Sequence, residues 1–209
     1  LSWAQNELYV TNGTVRTSVL DGSTLYIGGD FTQVGPATGS FVVFDINTGQ
    51  LAAGWPRING SVYAVAADGA GGWYVGGSFS RVGGEVRSNL ARIRSDQSVD
   101  LAFLPHPDGE VRTLLTAGGV LYAGGDFDFI GGQRRTRLAA LDSSTGAATA
   151  WNPAANDTVR ALALNGSTLY VGGDFNGAAS IGGAGRNRIA AFDTGSGAVT
   201  AWNPNAVNQ

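Results

Sequence analysis

The chain has 209 residues, 43% of them hydrophobic and 14% charged, with a formal net charge of -3, which excludes a disordered polyelectrolyte and leaves enough chain for one sizeable core. All thirteen basic residues are Arg and none forms a stripe; with a pI near 5.0 this excludes nucleic acid as a partner. Cys and Met are absent, which removes disulfides and thiolate metal sites, and no apolar run approaches the ~18 residues of a membrane span.

In chain order, residues 1–14 come first and stand apart, as a partial repeat or N-terminal extension. Leu1-Ser-Trp3 reads as the end of a fourth strand, and Leu8-Tyr9-Val10 as an apolar stretch without a counterpart elsewhere. Trp3, Leu8, Tyr9 and Val10 are therefore expected to form an assembly segment that packs on a neighbouring unit. The chain opens at Leu1 without Met, as a processed or excised segment does.

From Val15 onward one phrase returns: GGDF at Gly28, GGSF at Gly76, and GGDF at Gly124 and Gly172, each 48 residues after the last. A period in this range marks units that bury their apolar faces only by stacking on one another. Residues 15–209 form a single region with repeats at about 15–61, 62–110, 111–158 and 159–204. Each repeat carries four strand signatures. The first strand runs over 15–20, 62–67, 111–116 and 159–164, and the second ends in the GGDF phrase. The third covers 40–45, 89–94, 137–142 and 188–193, and the fourth carries Trp55, Phe103, Trp151 and Trp202.

Asp21-Gly22, Asp68-Gly69, Gly118-Gly119 and Asn165-Gly166 predict tight hairpin turns between the first two strands, because each tolerates positive φ. Asp45, Asp142 and Asp193 open turns that end in Gly49, Gly146 and Gly197, where the carboxylate can accept from backbone N–H groups. The sequons at Asn12, Asn59, Asn156 and Asn165 read mostly as turn chemistry of the same kind. The expected fold is all-β: a β-propeller of four-stranded antiparallel blades, four 48-residue repeats, either a complete ring with an extension or part of a larger one.

The phrases Leu169-Tyr-Val-Gly-Gly-Asp-Phe175, Arg188-Ile-Ala-Ala-Phe-Asp193 and Ala201-Trp-Asn-Pro204 resemble the bacterial β-propeller repeats called delta-60 repeats. Copy two resembles them most, with Gly77-Ser-Phe-Ser-Arg-Val-Gly-Gly84, Leu90-Ala-Arg-Ile93 and Asp100-Leu-Ala-Phe103. The resemblance implies a large secreted or surface-attached protein, with no enzymatic activity attached to the repeat.

No catalytic constellation is visible: His106 is the sole histidine, and no nucleophile and base pair accompanies it. No cofactor is expected; Asp126 and Asp128 could offer Ca²⁺ oxygen ligands, but two carboxylates are fewer than such a site requires. Asp126 with Arg137, and Asp174 with Arg188, are expected to form structural ion pairs, because copy two replaces both charges with Ser78 and Asn89; Asp30, opposite Ser40, should turn to backbone N–H groups. Trp55, Phe103, Trp151 and Trp202 are expected to be packing wedges between blades, with sugar-stacking platforms as the alternative. The Gly- and Ala-rich loop at 176–185 should be a mobile edge. Together these features predict a non-catalytic, extracellular or cell-surface propeller acting as a structural, adhesion or protein-interaction module. Its partner would be another protein, further blades of its parent or a second copy; the alternative is a carbohydrate-binding or carbohydrate-active propeller.

Overall fold

The computed structural model describes residues 11–32, 40–52 and 54–206; the assembly segment at Trp3, Leu8, Tyr9 and Val10 lies outside them. Among the described residues there is no helix, and none therefore long and apolar enough to cross a membrane. Sheet one is β1 (Val15–Asp21), β2 (Thr24–Gly29) and β3 (Phe41–Asp45). Sheet two holds β4 (Ile58–Ala67), β5 (Trp73–Val82), the short β6 (Glu85–Val86) and β7 (Leu90–Ile93). Sheet three joins β8 (Val111–Ala117), β9 (Val120–Gly125) and β12 (Leu138–Asp142), with a two-residue hairpin of β10 (Phe129–Ile130) and β11 (Gln133–Arg134) beside it. Sheet four is β13 (Val159–Asn165), β14 (Thr168–Gly173) and β15 (Ile189–Asp193). All pairings are antiparallel, and the second strand is central in every sheet.

The fourth segment does not form a ladder. It is reduced to one bridge per sheet, Phe44 to Leu51, Ile93 to Val99, Leu141 to Ala148 and Phe192 to Val199. The third strands also begin one residue later than the pattern suggests, because Asn89, Arg137 and Arg188 take positive φ of 63 to 65° and turn the chain into the sheet. Hairpins one, three and four close over Gly22-Ser23, Gly118-Gly119 and Gly166-Ser167. In sheet two Ala67 pairs with Trp73, so Asp68-Gly69 belongs to a longer loop.

The sheets stack through their first strands. β1 lies against β4, β4 against β8, and β8 against β13. Apolar residues from adjacent sheets fill the space between, with Val62, Val111, Val159, Phe31, Phe103, Phe127 and Phe175 fully buried. At roughly 25 cal/mol per Å² of apolar surface, this shared burial is what a single copy lacks. Four side chains before or at the start of the first strands tie down the loop after the GGDF phrase: Asn12 on Thr32, Asn59 on Arg81, Asp108 on Asp128 and Phe129, and Asn156 on Asn176. The loop at 176–185 is anchored rather than loose, since Ile181 is fully buried and the Ser180 hydroxyl donates to the Arg186 carbonyl at 2.6 Å.

Candidate functional site

Charged chemistry gathers where the first strands begin. In each of the four hairpins the ladder skips one residue: Arg16, Tyr63, Arg112 and Arg160. A bulge re-aims its side chain, and here the three arginines reach the aspartate that follows the second strand of their own sheet. Arg16 Nε donates to Asp30 at 2.6 Å, Arg112 Nε to Asp126 at 2.5 Å, and Arg160 Nε to Asp174 at 2.7 Å. Copy two has Tyr63 and Ser78 instead, and the Tyr63 ring lies between the guanidinium groups of Arg16 and Arg112, at 5.0 and 5.4 Å. Arg112 also pairs with Glu110 at 2.6 Å.

Of the expected pairs, Asp174 with Arg188 forms and Asp126 with Arg137 does not. Arg137 donates to the backbone carbonyl of Asp126 and pairs with Asp128 at 3.3 Å, because its left-handed backbone carries it past the Asp126 carboxylate that Arg112 and Thr158 already fill. Arg188 stands 3.7 Å from Asp174, within pairing range yet secondary to Arg160. Asp30 turns to Arg16, not to backbone N–H groups.

These contacts fix protonation. Hydrogen bonds from Arg16 and Arg160 hold the Asp30 and Asp174 carboxyls below their ordinary range. Burial pushes Asp126 up, but hydrogen bonds from Thr158 and Arg112 outweigh it and the net direction is down. A depressed carboxylate stabilises the fold fully above its unfolded pKa and loses that share as pH falls through the folded value. Thermal midpoints should therefore be level near neutrality and fall below about pH 4, the ordinary carboxylate range. A midpoint unchanged down to pH 2 would show these pairs to be energetically idle.

The turn aspartates act as turn-formers. Asp45, Asp142 and Asp193 accept from backbone N–H groups at 47 and 48, 144 and 145, and 196. His106 is exposed at φ 43°, and Ala154 and Asn205 repeat that left-handed turn in the next two copies. Among the described residues no group of three or more His, Cys, Asp or Glu could hold a metal ion; Asp126 and Asp128 turn to different arginines.

Sequence reasoning missed a second network, confined to copy two. Arg92 pairs with Asp68 at 2.7 Å and with Asp100 at 3.4 Å, while Arg94 pairs with Asp100 at 2.7 Å; both carboxylates are almost fully buried. The signal was present: Arg92 stands where the other copies carry Val43, Ala140 and Ala191.

A cavity of about 490 Å³ opens between sheets three and four, lined in part by Tyr122, Thr149, Trp151, Asn152, Phe192 and Ser196. Trp151 is half-buried and packs edge-on against Tyr122 and Phe192 at 5.7 and 5.3 Å. Trp55 is likewise half-buried, edge-on to Tyr26 at 5.6 Å, and Phe103 is fully buried. Trp202 differs: it touches Tyr170 at 5.3 Å and is 42% exposed.

Residues 71–103 match the family described as "Domain of unknown function (DUF5122) beta-propeller". The chain is similar in structure to the computationally designed Ika4 protein, at 17% identity over 81% of this chain and 92% of that one, with a TM-score of 0.53. The designed Ika8 protein is similar at 13% identity, over 88% of this chain and 60% of that one, with a TM-score of 0.47. No curated protein matches the chain. Fold and family match together define an all-β protein of β-propeller type, built from repeated antiparallel sheets.

Proposed function

We propose that the chain is a non-catalytic propeller of the delta-60 repeat kind, with four-stranded blades at about 15–61, 62–110, 111–158 and 159–204, either a ring or part of a larger one. It acts at the bacterial cell surface or outside the cell as a structural, adhesion or protein-interaction module. The observation that carries this reading is the use made of its carboxylates. Asp30, Asp126 and Asp174 are held as anions by arginines of their own sheets, the opposite of the raised pKa a general acid needs. Their work is to clamp strands.

The second reading, carbohydrate binding, is favoured by the cavity beside Trp151. Calorimetry and reducing-end release against a panel of soluble polysaccharides should show neither binding nor hydrolysis, while antibody labelling of intact source cells should find the chain at the surface. Saturable glycan binding that Trp151→Ala abolishes would replace the first reading with the second.

A further inference from the structure

The three interfaces between successive sheets share one contact and repeat others in part. The first glycine of each GG pair leaves a hole for a valine of the next sheet: Gly28 for Val62, Gly76 for Val111 and Gly124 for Val159, each of these valines fully buried. The aromatic of the fourth segment lies under the turn glycine of the next sheet, Phe103 under Gly146 and Trp151 under Gly197, with Trp151 Nε1 donating to the Gly197 carbonyl at 2.8 Å. The hydroxyl before the valine can reach the aspartate of the preceding sheet, as Thr158 does in donating to Asp126. Between copies one and two the same positions hold Asp30 and Ser61, and between copies two and three Ser78 and Glu110.

Among the described residues, no neighbouring sheet fills the matching positions at the two ends of the stack. A side chain at Gly172 would meet, among the described residues, only Ala161 and Arg188 of its own sheet, at 3.6 and 3.9 Å. Val15, which holds the valine position of sheet one, is 44% exposed. Trp202 is 42% exposed, and nothing among the described residues lies within 4 Å of where a side chain at Gly49 would project. Asp174 has one oxygen with Arg160 and the other 3.7 Å from Arg188, while Thr14 is exposed. Face four thus has the hole, the ring and the carboxylate; face one has the knob, the turn glycine and the hydroxyl.

We propose that the sheet-four face of this chain receives the sheet-one face of a second copy, with Val15 in the hole at Gly172, Gly49 on Trp202 and the Thr14 hydroxyl on Asp174. A second copy fits because Gly172 and Val15 are the two halves of the contact that Gly28 with Val62, Gly76 with Val111 and Gly124 with Val159 make within the chain, and β1 and β13 of one chain do not pack on each other among the described residues. Head-to-tail joining of this kind closes into a ring when its rotation permits. It names the partner within the interaction reading above, and its test reads mass and cross-linking, so it stands or falls whether or not glycans bind.

Light scattering should give a multiple of the 21.4 kDa chain mass. Val15→Asp and Gly172→Leu, both at open faces, should each return the mass to one chain while leaving the circular dichroism spectrum unchanged. The chain has no native Cys, so a mixture of Val15→Cys and Gly172→Cys chains should yield a disulfide-linked pair on a non-reducing gel. A single-chain mass for the unaltered protein at its highest soluble concentration would overturn the proposal, as would an assembly that both substitutions leave intact. So would a disulfide that forms within one chain carrying both cysteines, since the ring would then close on itself.

Discussion

Arg92→Ala should cost about 3–5 kcal/mol of folding stability, the usual penalty for stranding a buried charge, read as a fall in the denaturant midpoint at constant m-value. Asp68 is 2% exposed and Asp100 5%, so water cannot take over from the guanidinium that serves them both. Asp100 keeps Arg94; Asp68 keeps only the backbone N–H groups of Ala70 and Gly72. In the intact protein burial pushes Asp68 up, but Arg92 and those N–H groups bring it below its ordinary range. Its stabilising share is therefore present above about pH 4 and lost as pH falls. Without Arg92 the carboxyl titrates higher, so the deficit should narrow in acid. A loss below about 1 kcal/mol, the value of an exposed pair, would mean the network is solvated.

Gly125→Ala should be comparably severe, at about 3 kcal/mol or more, the upper end of overpacking costs. The added methyl would run into the backbone carbonyl of Glu110 on the paired strand, and a carbonyl held in a ladder cannot turn aside as a side chain can. Gly29, Gly77 and Gly173 face the same obstacle at Thr14, Ser61 and Thr158. Gly172→Ala is the control, because its methyl would find only ordinary contacts in the isolated chain. Equal midpoints for the two variants would refute this account of the doubled glycine.

The hairpins were legible in the sequence because side chains alternating along a strand and glycines at positive φ are local properties. The order of strands within a sheet followed from the same signals. The fourth segment meets its sheet through one bridge: a large aromatic at a fixed spacing indicates burial between layers, and Trp151 achieves that with one bridge nearby instead of a ladder. The expected Asp126–Arg137 pair failed for a more instructive reason, whereas Arg188 does reach Asp174. Copy two loses Asp126's counterpart together with those of both Arg112 and Arg137, so joint loss could not tell which arginine was the partner. Copy one could, since Asp30 there keeps Arg16 while Ser40 stands at the other place. What no local signal showed is the bulge that lifts Arg16 out of register and toward the carboxylate.

That bulge bears on how four near-identical hairpins avoid joining wrongly. Each first strand is the edge of its sheet, with one row of backbone donors and acceptors that no strand of that sheet occupies. A straight edge of this kind invites a foreign strand, and neighbouring copies in one chain are the most concentrated source of such strands. An extra residue that kinks the edge, and in three of the four copies carries a charge, interrupts the row where a misplaced strand would have to continue it. The residues that clamp each sheet to itself therefore also guard the chain against exchange of strands between its copies and against growth into fibrils.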